Sequence, residues 1–135
     1  MKIKTIFLIV SATTFLQAMP LYLCLISEEF KIMLISDAFS IENVSSGLSI
    51  MFDQFAIVVS FIATGLIFLF IGATSFSDIN TLKRLSFLFF VVMGFFALPD
   101  LISFIKGDPT APLPVILLGL FSVGLLFYGS KKGVV

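Results

Sequence analysis

The sequence predicts an all-α fold, an integral membrane bundle of four transmembrane helices, and two observations carry that expectation. Four apolar stretches, about residues 6–26, 48–73, 85–105 and 111–129, fill most of the 135 residues. Each approaches the roughly 20 residues that, at about 1.5 Å rise apiece, match the roughly 30 Å hydrocarbon core of a bilayer. Composition agrees, because 59% hydrophobic and 12% charged residues leave too little polar surface for a water-soluble domain of this size. The whole chain, residues 1–135, reads as one transmembrane domain.

The first stretch follows Lys2 and Lys4, and a basic start before an apolar run has the look of a secretory signal. Cleavage after Ala18 would put Leu16 where a small residue is wanted, and the apolar run continues through Ile26. A retained first helix is therefore expected. The connection after it, residues 27–47, is too long for a tight hairpin and mixes Phe30, Ile32, Met33, Leu34, Ile35, Ala38 and Phe39 with charges. Two placements suit it equally: a short interfacial helix, or a cap over the bundle. Ser45, Ser46 and Gly47 break the pattern, and Asn43-Val44-Ser45 matches a glycosylation acceptor of the kind that arises often by chance.

The remaining connections are short, which predicts that the second, third and fourth spans pack as antiparallel neighbours. Asp78 and Asn80 precede Leu82, and either can cap the third span. Gly107, Asp108, Pro109, Pro112 and Pro114 end that span and open the next, since proline lacks an amide donor and has a locked φ. No internal repeat relates the two halves, so an inverted-repeat transporter is not indicated.

Charge placement predicts orientation. Lys2, Lys4, Lys83, Arg84, Lys131 and Lys132 fall on one side, and basic residues of short loops accumulate in the cytoplasm. Glu28, Glu29, Lys31, Asp37, Glu42, Lys106 and Asp108 fall on the other. Both termini are thus expected to be cytoplasmic, in a bacterial inner membrane. Tyr22 and Tyr128 are the two side chains suited to anchor at opposite interfaces, there being no tryptophan. The eighteen phenylalanines, dense in the third span, read as lipid contact and bulky packing.

Several chemistries are excluded or unsupported. Zero formal net charge and the lack of a basic stripe argue against nucleic acid. The absence of histidine removes the commonest general base and the commonest transition-metal and haem ligand, and no metal or cofactor is expected. Cys24, alone in the chain, cannot form an internal disulfide and reads as a small buried hydrophobe.

Ionisable groups within a membrane are costly, so Asp53 and Asp100 are the candidate polar or ion site. Helical rise puts both within roughly 10 Å of the outer boundary. Gln54 is adjacent, Gln17 lies deeper on the first span, and Lys106 is beyond Asp100. Facing carboxyls would titrate as a coupled pair and bind a proton or cation. The plainer alternative puts Asp53 at a helix N-terminus in the interface and pairs Asp100 with Lys106 or a backbone donor. Pro20 and Pro99 would kink their helices and open a polar cavity between these groups.

Small residues that allow close helix approach form stripes: Ala56, Ser60 and Thr64 in the second span, Gly94 and Ala97 in the third, Gly119 and Ser122 in the fourth. These stripes are expected to face one another. The inner loop Leu82-Lys83-Arg84-Leu85, the long first outer connection and the Gly107-Asp108-Pro109 turn together resemble small bacterial four-helix membrane proteins of the DoxX-like kind. That resemblance implies an accessory membrane subunit and assigns no functional residue. Three functions follow in order of expectation: an accessory or structural subunit packed against membrane lipids and other subunits or its own copies; a small proton, cation or solute carrier; and a lipid-acting enzyme.

Overall fold

Five helices hold 83% of the residues in the computed structural model, which describes residues 1–135. They are α1 (Ile3–Ile26), α2 (Glu28–Phe39), α3 (Ser46–Ala73), α4 (Ile79–Lys106) and α5 (Leu113–Lys132). All but α2 are long and apolar enough to cross a membrane. A helix satisfies its backbone amides internally, which is the condition for spanning hydrocarbon.

The helix boundaries follow from their caps. The Ser27 hydroxyl accepts from the Phe30 amide at 3.2 Å, so α2 starts with only Ser27 between it and the end of α1. Ser45 caps α3 through the Leu48 amide at 3.3 Å. Asp78 supplies the cap of α4, accepting from both the amide and the hydroxyl of Thr81 at 2.7 Å. Those bonds, the hydroxyl first, hold its carboxyl below the usual aspartate range. Because the cap sits at Asp78, α4 begins at Ile79, six residues before the apolar run at Leu85. Gly107 ends α4 at φ 73°, the left-handed conformation that glycine adopts without a Cβ penalty, and its amide returns to Phe104 and Ser103. Pro112 then precedes α5, with Pro114 in its first turn, where the missing donor costs nothing. The helices run unbroken through Pro20 and Pro99.

Helix α1 is the hub. It packs along α3 on one side and against α5 on the other, and it also touches α2 and α4. Helices α4 and α5 pack as the expected antiparallel pair. Helices α3 and α4 depart from that expectation: although joined by a short turn, they are not packed along their lengths. Connection length sets only how far two helices can separate, and here α3 packs chiefly on α1 while α4 packs chiefly on α5.

The apolar core lies at the end where the termini meet. Ile3, Ile6, Phe7 and Val10 of α1 pack with Phe70 and Ala73 of α3, Leu82, Phe89 and Met93 of α4, and Leu126 of α5. Phe89 stands edge-on to Phe7 at 5.5 Å and to Phe70 at 4.8 Å between ring centroids, a favoured aromatic geometry. The Ile3 amide donates to the Val134 carbonyl at 2.9 Å, which ties the two chain ends together at one end of the bundle. Beyond Met93, α4 buries no residue at all. The bundle is thus closed at the end holding the termini and looser at the other.

Close approach at the closed end depends on Gly129. A Cβ there would lie 2.6 Å from the Ser86 hydroxyl and 3.0 Å from the Ile6 side chain, whereas one at Gly124 meets nothing within 4 Å. Gly129→Leu is expected to destabilise the detergent-solubilised protein by about 1–3 kcal/mol of overpacking, and Gly124→Leu by far less. Parallel thermal-unfolding measurements check this ranking.

Candidate functional site

The polar residues singled out above sit at the end opposite the chain termini, and the structure distributes them among three separate ties. The first centres on Lys31. Helix α2 places Lys31 and Ile35 four residues apart on one face, and that face docks on the bundle, with Lys31 only 3% exposed. Asp53 lies one turn before the buried Ala56 of α3 and points to the same region. The Lys31 ammonium donates to both Asp53 carboxylate oxygens at 2.9 Å and pairs with Glu28 at 2.6 Å. Glu28 also accepts from the Ser49 hydroxyl at 3.2 Å. One cation therefore joins two carboxylates across α2 and α3. An open groove of about 470 Å³ runs past this pair, lined also by Cys24, Leu25, Ile26, Gln54 and Ile57.

The second tie closes the α4–α5 turn. Asp100 accepts from the Thr110 hydroxyl at 3.1 Å, so the loop folds back on the last turns of α4. Lys106 is exposed and makes no ion pair. The third tie joins α1 to α5, where the Gln17 amide donates to the Val115 carbonyl at 3.0 Å. Gly119 admits that side chain, since a Cβ there would lie 2.8 Å from the Gln17 nitrogen. Asp53 and Asp100 share no hydrogen-bond partner, and the groove beside Asp53 is lined by neither Asp100 nor Gln17.

The small-residue stripes of α4 and α5 meet at Ala97 and Gly119, but the stripe of α3 takes another partner. Ala56 and Ser60 are buried, and the Tyr22 hydroxyl of α1 reaches the Thr64 hydroxyl at 2.7 Å and the Ser60 carbonyl at 3.2 Å. The α3 stripe thus faces α1 instead of the stripes of α4 and α5. Tyrosine explains the correction: its ring spans the gap beside small residues, and its hydroxyl finds an acceptor inside the bundle. Tyr22 is consequently a cross-link between helices. Ser122 meets Thr13 of α1 at 2.7 Å, Ala97 borders the Gly119 contact, and Gly94 faces open space. The docked face of α2 caps the bundle, while Ile32, Met33 and Phe39 remain exposed.

Lys31 carries the chemistry that sequence reasoning missed, having been grouped with the other charges of its connection. The available signal was its status as the one base among four acids there, four residues from Ile35 on a short amphipathic helix. Thr13, Tyr22 and Ser86 were missed for a different reason: each bonds a residue distant in sequence, as Ser86 does to the Leu126 carbonyl at 2.7 Å. No group of three or more Cys, Asp or Glu side chains is arranged to hold a metal ion. No protein-family model matches the chain, and neither does any curated protein or solved structure.

Hydrogen bonds to Glu28, then to Asp53, raise the Lys31 pKa above the ordinary lysine value. A group whose folded pKa is raised contributes stability that is complete below its unfolded pKa and is lost as pH rises through the folded one. Docking of α2 is therefore expected to hold throughout neutral pH and to weaken in strong alkali. Lys31→Met is expected to release α2 at neutral pH, seen as faster amide exchange over residues 28–39. Adding Asp53→Asn to Lys31→Met should recover part of that protection by removing the stranded carboxylate.

Proposed function

We propose that this small multi-pass membrane protein has an accessory or structural role in a membrane complex, with both termini in the cytoplasm of a bacterial cell and its spans in the inner membrane. One observation carries the reading: the polar side chains suited to an ion site are engaged in internal ties, while the apolar faces of two helices stay uncovered. Asp53 is neutralised by Lys31, Asp100 secures the outer turn, and Gln17 binds a backbone carbonyl. A proton or cation carrier built on Asp53 would have to displace the ammonium that already occupies both of its oxygens.

The uncovered faces support the same reading. Phe61, Phe68 and Phe95 are each at least 70% exposed, and α4 buries nothing beyond Met93. In a bilayer such faces meet lipid or other transmembrane helices, and helix association there relies on shape and small residues more than on apolarity. Gly94, beside Phe95 and with open space before it, is a natural point of close approach for a neighbouring subunit. The basic residues grouped at the end of the termini support the cytoplasmic assignment.

Extraction from the native membrane in a mild detergent, followed by native mass measurement, tests the proposal. Foreign polypeptides at fixed stoichiometry are the expected result. Asp53→Asn and Asp100→Asn should leave that association nearly intact, while Gly94→Leu should reduce it without altering the fold. A homogeneous self-assembly whose liposomes show cation flux, lost on Asp53→Asn, would replace the accessory role with the carrier.

A further inference from the structure

Helices α4 and α5 begin and end at the same level, so the basic residues of one helix start and one helix end converge. Lys83 and Arg84 lie in the second turn of α4, and Lys131 lies in the last turn of α5. With Phe87, Leu88 and Ser130 they line an open groove of about 410 Å³ between the two helices. None of the three cations is in an ion pair, because both salt bridges of the molecule belong to Lys31 at the opposite end. Arg84 feels the charge of Asp78, whose Oδ2 accepts from both the amide and the hydroxyl of Thr81, but the two form no ion pair. The Ser130 hydroxyl donates to the Phe127 carbonyl at 2.7 Å, and the Lys131 ammonium stands 5.9 Å from the Phe127 ring centroid. The groove thus offers positive charge that no ion pair within the protein neutralises.

We propose that this groove binds the phosphate of an anionic phospholipid headgroup, with the lipid's acyl chains lying along Phe87 and Leu88. Charge complementarity and position argue for this occupant. The cations sit where two membrane-spanning helices leave the apolar region, and one turn further into the bundle the lining becomes a phenyl ring and a leucine, 46% and 57% exposed. A soluble anion would use the cations alone and leave those two side chains uncovered, whereas a phospholipid satisfies both. Basic pockets between transmembrane helices recognise anionic headgroups by this pairing of charge and apolar contact. The α4 N-terminus adds its positive dipole end to the same site. The inference depends on the helices spanning a bilayer and is independent of the accessory role.

The test reconstitutes the full chain in vesicles of equal parts phosphatidylglycerol and phosphatidylcholine, extracts it gently, and counts retained lipids by native mass spectrometry. The expected result is a retained phosphatidylglycerol, with preference reduced roughly tenfold or more in Lys83→Gln/Arg84→Gln/Lys131→Gln. Lys2→Gln/Lys4→Gln, which removes two cations from the same end but outside the groove, should retain it. Lys83→Arg/Lys131→Arg should also retain it, so charge is tested even if the triple variant folds poorly. Equal losses in the groove and control variants would reduce the effect to diffuse surface charge and overturn the site. Absence of any preference for phosphatidylglycerol would do the same. Displacement of the lipid by millimolar inorganic phosphate would reassign the groove to a soluble anion.

Discussion

Every other helix of this molecule rests on α1, and the polar side chains of α1 hold that arrangement in a solvent that gives apolar helices little reason to associate. Lipid tails are as apolar as leucine, so helix contact in a bilayer is driven by close packing and hydrogen bonds. Helix α1 supplies both on opposite faces. Tyr22 reaches Thr64 and the Ser60 carbonyl of α3, while Thr13 and Gln17 reach Ser122 and the Val115 carbonyl of α5. These bonds fix the order of the bundle, with α3 on one side of α1 and the α4–α5 pair on the other.

That order makes the two ends different. At the end of the termini, Phe7, Phe70 and Phe89 interlock, Ser86 bonds to Leu126, and Gly129 permits the approach. At the other end α3 and α4 diverge, and rigidity passes to polar ties: Lys31 with Asp53 and Glu28, and Asp100 with Thr110. An ammonium shared by two carboxylates holds α2 on the bundle and leaves one net negative charge, with Glu28 exposed to solvent, while Ile32, Met33 and Phe39 stay exposed. The two buried hydroxyls without a partner, on Thr14 and Ser60, lie on α1 and α3, the pair of helices with the most extensive mutual packing.

Asp53 and Asp100 show how far a sequence argument reaches into a membrane site. Their rarity in apolar segments correctly marks them as groups that require partners. Which partners they take depends on where α2 docks and how the α4–α5 turn folds back, and neither is encoded within the spans. The same holds for the stripe Ala56, Ser60, Thr64: its spacing marks a packing face, yet nothing local tells whether α1 or α4 will cover it.

The sequence alone determined the helical class, the four candidate spans and most of their ends, because hydropathy, caps such as Asp78 and stops such as Gly107 act through neighbours a few residues away. Only the tertiary structure decided that α1 is central, that α3 and α4 stay apart, and that Lys31 neutralises Asp53. Those outcomes rest on contacts between residues far apart in the chain, where shape and hydrogen-bond geometry choose among pairings that are equally apolar.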